Sequence, residues 1–206
     1  TEAYMLKIQD DAYLKRTLKF LFTTLLIFLI TLILAIIFSP SIETLKSATE
    51  STHNSVDKAR GLQKVWEYVL NNGFKVPFQM LILTIIPIPF LYYLNIIKTT
   101  VPLGIAFGFV LHFDLYKGSM MIIASTPHSI VEILGFCFIA SALFKVNQSI
   151  IRKINNIFRK SKKQNLSIKL AILNLLKIYL LIALPLIIIA AFMETYLTDL
   201  LLNLLT

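Results

Sequence analysis

The sequence predicts an all-α, polytopic membrane protein with five transmembrane helices, proline-broken helices and an amphipathic helix on the outer face. Of the 206 residues, 57% are hydrophobic and 15% are charged, whereas soluble domains average about 45–50% and about 25%. Five stretches are nearly free of charge, and a helix needs about 20 such residues to cross a hydrocarbon core of ~30 Å. A basic segment before the last stretch sets the expected orientation.

The five predicted spans lie within a single integral membrane domain, residues 1–206. They are 20–38, 76–97, 99–113, 118–144 and 170–193, and Glu132 interrupts the fourth. The third is the shortest, because Lys98 and Asp114 bracket only 15 residues. Between and around the spans we expect a cytoplasmic N-terminus at 1–19, an outer segment at 39–75, a basic cytoplasmic loop at 145–169 and an outer tail after the fifth span, within 170–206. The expected location is the cell membrane, crossed several times.

Orientation follows from the loop 145–169, which carries eight Lys and Arg residues and no acid. Such a segment stays in the cytoplasm, which places the N-terminus inside and the C-terminus outside. The same charges allow three interpretations: a topology signal alone, a contact with lipid headgroups, or a docking surface for a cytoplasmic partner. The candidate docking residues are Arg152, Lys153, Arg159, Lys160, Lys162 and Lys163.

The outer segment 39–75 repeats apolar residues every three to four positions, which is typical of an amphipathic helix lying on a membrane surface. Trp66 and Tyr68 suit the interfacial aromatic belt. Asn71, Asn72 and Gly73 are predicted to form the turn that ends this helix.

The stretch "STPHSIVEILG" places three unfavourable residue types inside the fourth span. Pro127 is expected to end one half-helix and start another, and His128 and Glu132 then share a face about one turn apart. An ionised acid at that depth costs about 2.5–3.5 kcal/mol, so Glu132 should be protonated, paired or turned into the bundle. It can serve as an interhelical hydrogen-bond anchor, an ion or substrate site, or a catalytic group. Its candidate partners are His128, Tyr92, Tyr93, Asn95 and Tyr179.

Three further residues of the spans suggest close packing between helices. Gly104 and Gly108 have the small-residue spacing of close helix contacts, and Pro185 is expected to serve packing as well.

The sequence also argues against several kinds of site. The single cysteine, Cys137, excludes an internal disulfide. The isolated histidines predict no metal site, and the absence of a phosphate-binding glycine loop predicts no nucleotide hydrolysis. The basic residues behind the net charge of +9 cluster beside the spans, where such residues set membrane orientation more often than they bind phosphate backbones, so nucleic acid is not expected. No cofactor is expected either.

Two stretches, "PHSIVEILGFCFIASALF" and "LPLIIIAAFMETYLT", resemble the stage II sporulation protein M family. Pro127, His128, Ile130 and Glu132 match its Pro-His-Gly-Ile-x-Glu-like motif, while Pro185 and Glu194 match a later proline and acid. The chain departs from the pattern at Ser129, which replaces a glycine, and at Leu103, which replaces an asparagine. The resemblance implies that Pro127, His128, Glu132 and Glu194 form a functional intramembrane motif.

The departures make the chain look more like distant members encoded with circular bacteriocins in Gram-positive bacteria, beside ABC-type ATPases. The resulting hypothesis is a membrane subunit of a multi-protein complex for maturation, export or immunity of a secreted peptide. Its expected partners are an ABC-type ATPase or other subunits, the peptide, the lipid bilayer and, in a homodimer, a second copy of the chain. The alternative is a scaffold that localises or regulates a cell-wall hydrolase. An intramembrane hydrolase or cyclase is the third hypothesis, and an enzyme is not expected, because no dedicated nucleophile stands out.

Overall fold

In a computed structural model of the chain, residues 8–38, 60–159, 161 and 163–205 are described, and the regular elements among them are all helical. They form five consecutive helical segments. Helix α1 is Tyr13–Phe38, α2 covers 62–85, α3 is Leu94–Phe113 after a 3-10 turn at Leu91–Tyr93, α4 is Leu115–Phe158, and α5 covers 168–205. The predicted all-α class is confirmed.

Helices α2 and α5 are composite, because widened π-helical turns interrupt them without breaking them. Helix α2 joins Leu62–Tyr68, the π-helical Val69–Lys75 and Val76–Ile85. Helix α5 joins Ile168–Ile178, the π-helical Tyr179–Ala183, Leu184–Phe192, the π-helical Met193–Leu197 and Thr198–Leu205. Such turns are rare, and they occur frequently at functional sites.

Four helical stretches among the described residues are long and apolar enough to cross a membrane. They are Tyr13–Phe38, Leu91–Phe113, Leu115–Phe158 and Ile168–Leu204. The chain is therefore a membrane protein. Helix α2 has a similar length but carries Lys64, Glu67 and Lys75, and it is not one of the four. The count of five spans and the orientation stay predictions.

The expected span 76–97 is wrong as a single helix. Helix α2 ends at Ile85, Ile86 is extended, and Phe90 has a positive φ of 63°. Pro87 and Pro89 cause the break, since each lacks a backbone donor and disfavours the helical conformation of the residue before it. The second half of the run therefore starts the next helix, which spans Leu91–Phe113 and is longer than the predicted 99–113.

The expected break at Pro127 is also wrong, because α4 runs unbroken through it. The hydroxyl of Thr126 donates to the carbonyl of Ile122, one turn back, at 2.6 Å. Helix α4 packs against α1, α3 and α5, and this packing holds the helix together across the proline. His128 and Glu132 consequently lie on one continuous helix.

The predicted loop 145–169 is half helical, because α4 continues to Phe158. Arg152 and Lys153 thus lie on α4, and Arg159 follows its end. Lys160 and Lys162 fall outside the described residues, as do residues 1–7 and 39–59 of the predicted N-terminal and outer segments.

The first helix packs closely on the third. A Cβ atom on Gly104 would lie 3.0 Å from the carbonyl oxygen of Phe28, and one on Gly108 would lie 2.6 Å from that of Leu32. The structure thus places both predicted glycines against α1. The side chain of Pro185, by contrast, is exposed.

Buried polar contacts fasten the N-terminal end of α1 to the rest of the bundle. Arg16 pairs with Asp10 and also donates to the carbonyl of Ser141 on α4, at 3.2 Å. The backbone N–H of Gln9 donates to the side chain of Asn174 on α5, and that side chain donates back to the carbonyl of Gln9, at 3.1 and 3.2 Å. The start of α1 is therefore fixed to two other helices.

Candidate functional site

A cavity of about 210 Å³ lies between α2, α3, α4 and α5. Ten of the fifteen residues that line it have polar side chains. The polar lining residues are Tyr68, Asn71 and Asn72 from α2, Lys98, Thr99 and Thr100 from α3, His128, Ser129 and Glu132 from α4, and Glu194 from α5. Three of the four residues predicted as a functional motif, His128, Glu132 and Glu194, therefore meet at one site.

Glu132 lies on the cavity wall and is half-buried. Its carboxyl group lies near the side chain of Asn72 on α2. Asn72 was not among the predicted partners of Glu132, because Asn71, Asn72 and Gly73 were interpreted as a turn. That interpretation is wrong: all three lie in the π-helical segment Val69–Lys75. Two adjacent amides beside a long apolar run were the signal that could have identified them.

Glu194 faces the same cavity from the π-helical segment Met193–Leu197 of α5. It is hydrogen-bonded to Tyr68 and interacts electrostatically with Lys64, both on α2. The carboxyl groups of Glu194 and Glu132 are near enough to influence each other. Two acidic groups from different helices are thus close together inside the bundle.

His128 is buried and directed towards α5. Its Nδ1 lies 2.9 Å from the hydroxyl oxygen of Thr198. His128 is therefore hydrogen-bonded to α5, whereas Glu132 faces Asn72 on α2. The cavity leaves room for a ligand beside them.

The other predicted partners of Glu132 lie elsewhere. The hydroxyl of Tyr93 is 2.7 Å from that of Thr24. Tyr179 donates to the carbonyl of Gly73 at 2.6 Å. The hydroxyl of Tyr92 and the amide nitrogen of Asn95 are buried and have no hydrogen-bond partner in the described part of the chain.

The bond from Tyr179 explains how the widened turn beside the cavity is stabilised. In a regular α-helix the carbonyl of Gly73 would accept from the backbone N–H of residue 77, but Pro77 has no such donor. The hydroxyl of Tyr179 supplies the missing hydrogen bond from α5. The turn that holds Asn72 therefore depends on a side chain from another helix.

The helices around the cavity approach each other closely at Gly135. A Cβ atom there would lie 2.9 Å from the side chain of Ile187 on α5. This close contact of α4 with α5 lies one turn after Glu132, and it fixes the wall that Glu132 and Glu194 share.

The predicted docking residues are not part of this site. Arg152 and Lys153 follow Glu132 on α4 by 20 and 21 residues, about 30 Å along a helix. Pro127 directly precedes His128 but is not one of the residues that line the cavity. The cavity and the basic end of α4 are thus two separate features.

The cavity can accept hydrogen-bonding or charged groups, because its wall combines carboxyl, amide, hydroxyl and amine groups. Its volume matches about seven water molecules at ~30 Å³ each, or one long side chain. Within the described residues, His, Cys, Asp and Glu side chains do not assemble in groups of three that could hold a metal ion.

Comparison with known proteins identifies the family. The family model described as "Stage II sporulation protein M" matches residues 24–199, which is most of the chain and includes every helix that lines the cavity. No curated protein and no solved structure matches the chain. On the strength of the family match, this membrane protein belongs to the stage II sporulation protein M family.

Proposed function

We propose that the chain is the membrane subunit of a multi-protein complex that handles a secreted, bacteriocin-like peptide. The complex would act in maturation, export or immunity at the cell membrane of a Gram-positive bacterium. A separate ABC-type ATPase would supply its energy. The observation that carries the proposal is the polar cavity, with two acidic groups, inside a bundle whose other faces are largely apolar.

A cavity of this kind is costly in a membrane protein. Acidic residues within membrane spans are rare, and they usually mark pathways or binding sites for ions and substrates. Here Glu132 and Glu194 face one space from two helices. Two carboxyl groups on one cavity wall would pair with a cationic group, such as a lysine side chain of a peptide.

The remaining polar groups favour the binding of a peptide over that of a bare ion. Asn71 and Asn72 supply amides from α2, and Thr99 and Thr100 supply hydroxyl oxygens from α3. Both hydroxyls donate to the carbonyl of Ile96 and can therefore only accept from a ligand, whereas the amides both donate and accept. Together these groups match the backbone of a peptide as well as its side chains. The cavity is large enough for one residue of such a segment.

The proposal is tested by replacing the acids while keeping their shape. We expect Glu132→Gln and Glu194→Gln to reduce peptide secretion or immunity at least tenfold, because each removes a carboxylate from the cavity. Glu67→Gln is the matched control, since Glu67 lies on α2 but not on the cavity wall. Proteins that co-purify with each variant from native membranes are identified by mass spectrometry.

Two results would separate a binding site from a structural one. If secretion is lost while the ATPase still co-purifies and the fold is intact, the cavity acts on the peptide. If Glu132→Gln and Glu194→Gln secrete peptide as well as Glu67→Gln does, the cavity has no such role and the proposal fails.

Membership of the family favours a second candidate, a scaffold that localises or regulates a cell-wall hydrolase. A scaffold needs a partner-binding surface but no working cavity. Deleting residues 39–61 of the predicted outer segment would then release the hydrolase, whereas Glu132→Gln would not. Co-purification of a hydrolase instead of an ATPase would make this candidate the better one.

A further inference from the structure

We propose that the end of α4 is a docking surface for a cytoplasmic protein that has an apolar groove rimmed by acidic side chains. The surface, here called the basic tip, consists of Lys153, Ile157, Phe158, Arg159 and Lys163. It is separate from the cavity, and the inference does not depend on which substrate the cavity binds.

The basic tip lies beyond the membrane. The guanidinium group of Arg16 lies 5.4 Å from the ring centre of Phe144, and Lys145 follows directly. These cations mark the level at which the apolar part of α4 ends. Phe158 lies about fourteen residues further along the helix, ~21 Å at 1.5 Å per residue, whereas each headgroup layer is only about 5–8 Å thick.

Two large apolar side chains are exposed at this distance from the hydrocarbon. Phe158 is 83% exposed and Ile157 is 72% exposed, and Phe158 is the most exposed large hydrophobic residue of the described chain. Neither of them can face lipid tails at that level. Adjacent exposed apolar residues outside the membrane are typical of a protein-interaction site.

The tip is held in place by Asn156, which is buried. Its amide nitrogen donates to the carbonyl of Lys163 at 2.6 Å and to the side chain of Asn165 at 2.7 Å, and its oxygen accepts from the backbone N–H of Lys163 at 3.1 Å. Ser167 then caps the start of α5 by accepting from the N–H of Leu170 at 3.2 Å. A surface ordered in this way loses little entropy on binding.

The charge around the apolar pair defines the partner. Lys153, Arg159 and Lys163 are exposed, and the sequence has no Asp or Glu between residues 133 and 193. The segment that carries the tip therefore contributes no acid that could balance these cations. Charge complementarity requires acidic side chains on the partner, around a groove that accepts Ile157 and Phe158.

Photo-cross-linking in native membranes tests the proposal on the full chain. A photo-reactive amino acid in place of Phe158 should give one discrete protein adduct, identified by mass spectrometry. The adduct should disappear when Arg159→Glu and Lys163→Glu are combined with it. The matched control carries the same photo-reactive group in place of Phe113, a 67% exposed phenylalanine at the C-terminal end of α3, and should not form this adduct.

The captured protein is then purified and its affinity measured. Phe158→Ala should weaken binding about 30-fold, as expected for a central aromatic anchor, and added salt should weaken the wild-type complex further. The proposal is overturned if the adducts contain only phospholipid or a second copy of the chain, or if no protein adduct forms. It is equally overturned if the captured surface lacks acidic residues or if Phe158→Ala binds as the wild type does.

Discussion

The contact between α1 and α3 makes a quantitative prediction for Gly108→Ala. The added methyl carbon would lie 2.6 Å from the Cβ atom of Ala35 and 2.6 Å from the carbonyl oxygen of Leu32. Ordinary contact begins at 3.4 Å, so the two helices must separate locally by about 0.8 Å and lose dispersion contacts. Backbone atoms cannot rotate away as a side chain can.

Overpacking of this kind costs about 1–3 kcal/mol. Replacing glycine by alanine in a helix also stabilises the protein by about 0.4–1 kcal/mol, because alanine lowers the conformational entropy of the unfolded chain. We therefore expect Gly108→Ala to lower the free energy of unfolding by about 1–2 kcal/mol. Gly73→Ala is the control, because its nearest neighbour is the flexible end of Leu184 at 3.1 Å, and its effect should stay below about 0.5 kcal/mol.

The chain provides its own probe for the measurement. Cys137 is the single cysteine and is fully buried, so a thiol-reactive dye labels it only when the bundle opens. Denaturant-induced unfolding in detergent is followed by this labelling for wild type, Gly108→Ala and Gly73→Ala. If the two glycine variants are equally stable, α1 does not pack on α3 through Gly108, and the described contact is refuted.

Two further predictions use the same assay. Tyr179→Phe leaves the carbonyl of Gly73 without its donor and should lower the free energy of unfolding by about 1–3 kcal/mol. An unchanged free energy of unfolding would show that the hydrogen bond from α5 does not stabilise the widened turn. Arg16→Met leaves Asp10 unpaired, where the two side chains are 13% and 7% exposed, and should cost about 2 kcal/mol. Replacing Asp10 by Leu as well should restore part of this loss, and a further loss of similar size would contradict the pairing.

Composition and hydropathy predicted the fold class well, because the exclusion of charge from a hydrocarbon core acts on every residue of a span. Helix ends were less predictable, because they depend on local backbone chemistry. Pro87 and Pro89 end a helix where the neighbouring segments leave room for a turn, whereas Pro127 does not, since α4 is packed on several sides. The sequence alone does not distinguish these two situations.

The candidate site was predictable on α4 and α5 but not on α2. His128, Glu132 and Glu194 are residue types that a membrane span disfavours, and the structure brings all three to one cavity. Asn72 was missed, because an Asn-Asn-Gly sequence is typical of a turn. Only the hydrogen bond from Tyr179, which is far away in the sequence but adjacent in the fold, shows why the chain stays helical there.

The widened turns make the site depend on the number of residues as well as on their kind. Each holds about one residue more than a regular helical turn, and one residue corresponds to about 100° of rotation around a helix axis. Because the widened turn accommodates its extra residue, deleting one residue within Tyr179–Ala183 would restore a regular turn and leave Glu194 facing Glu132. Deleting one residue within the regular Leu184–Phe192 would instead turn Glu194 away by about 100°. A one-residue deletion in the regular part of α5 should therefore abolish the site without unfolding the bundle, whereas the same deletion in the widened turn should be tolerated.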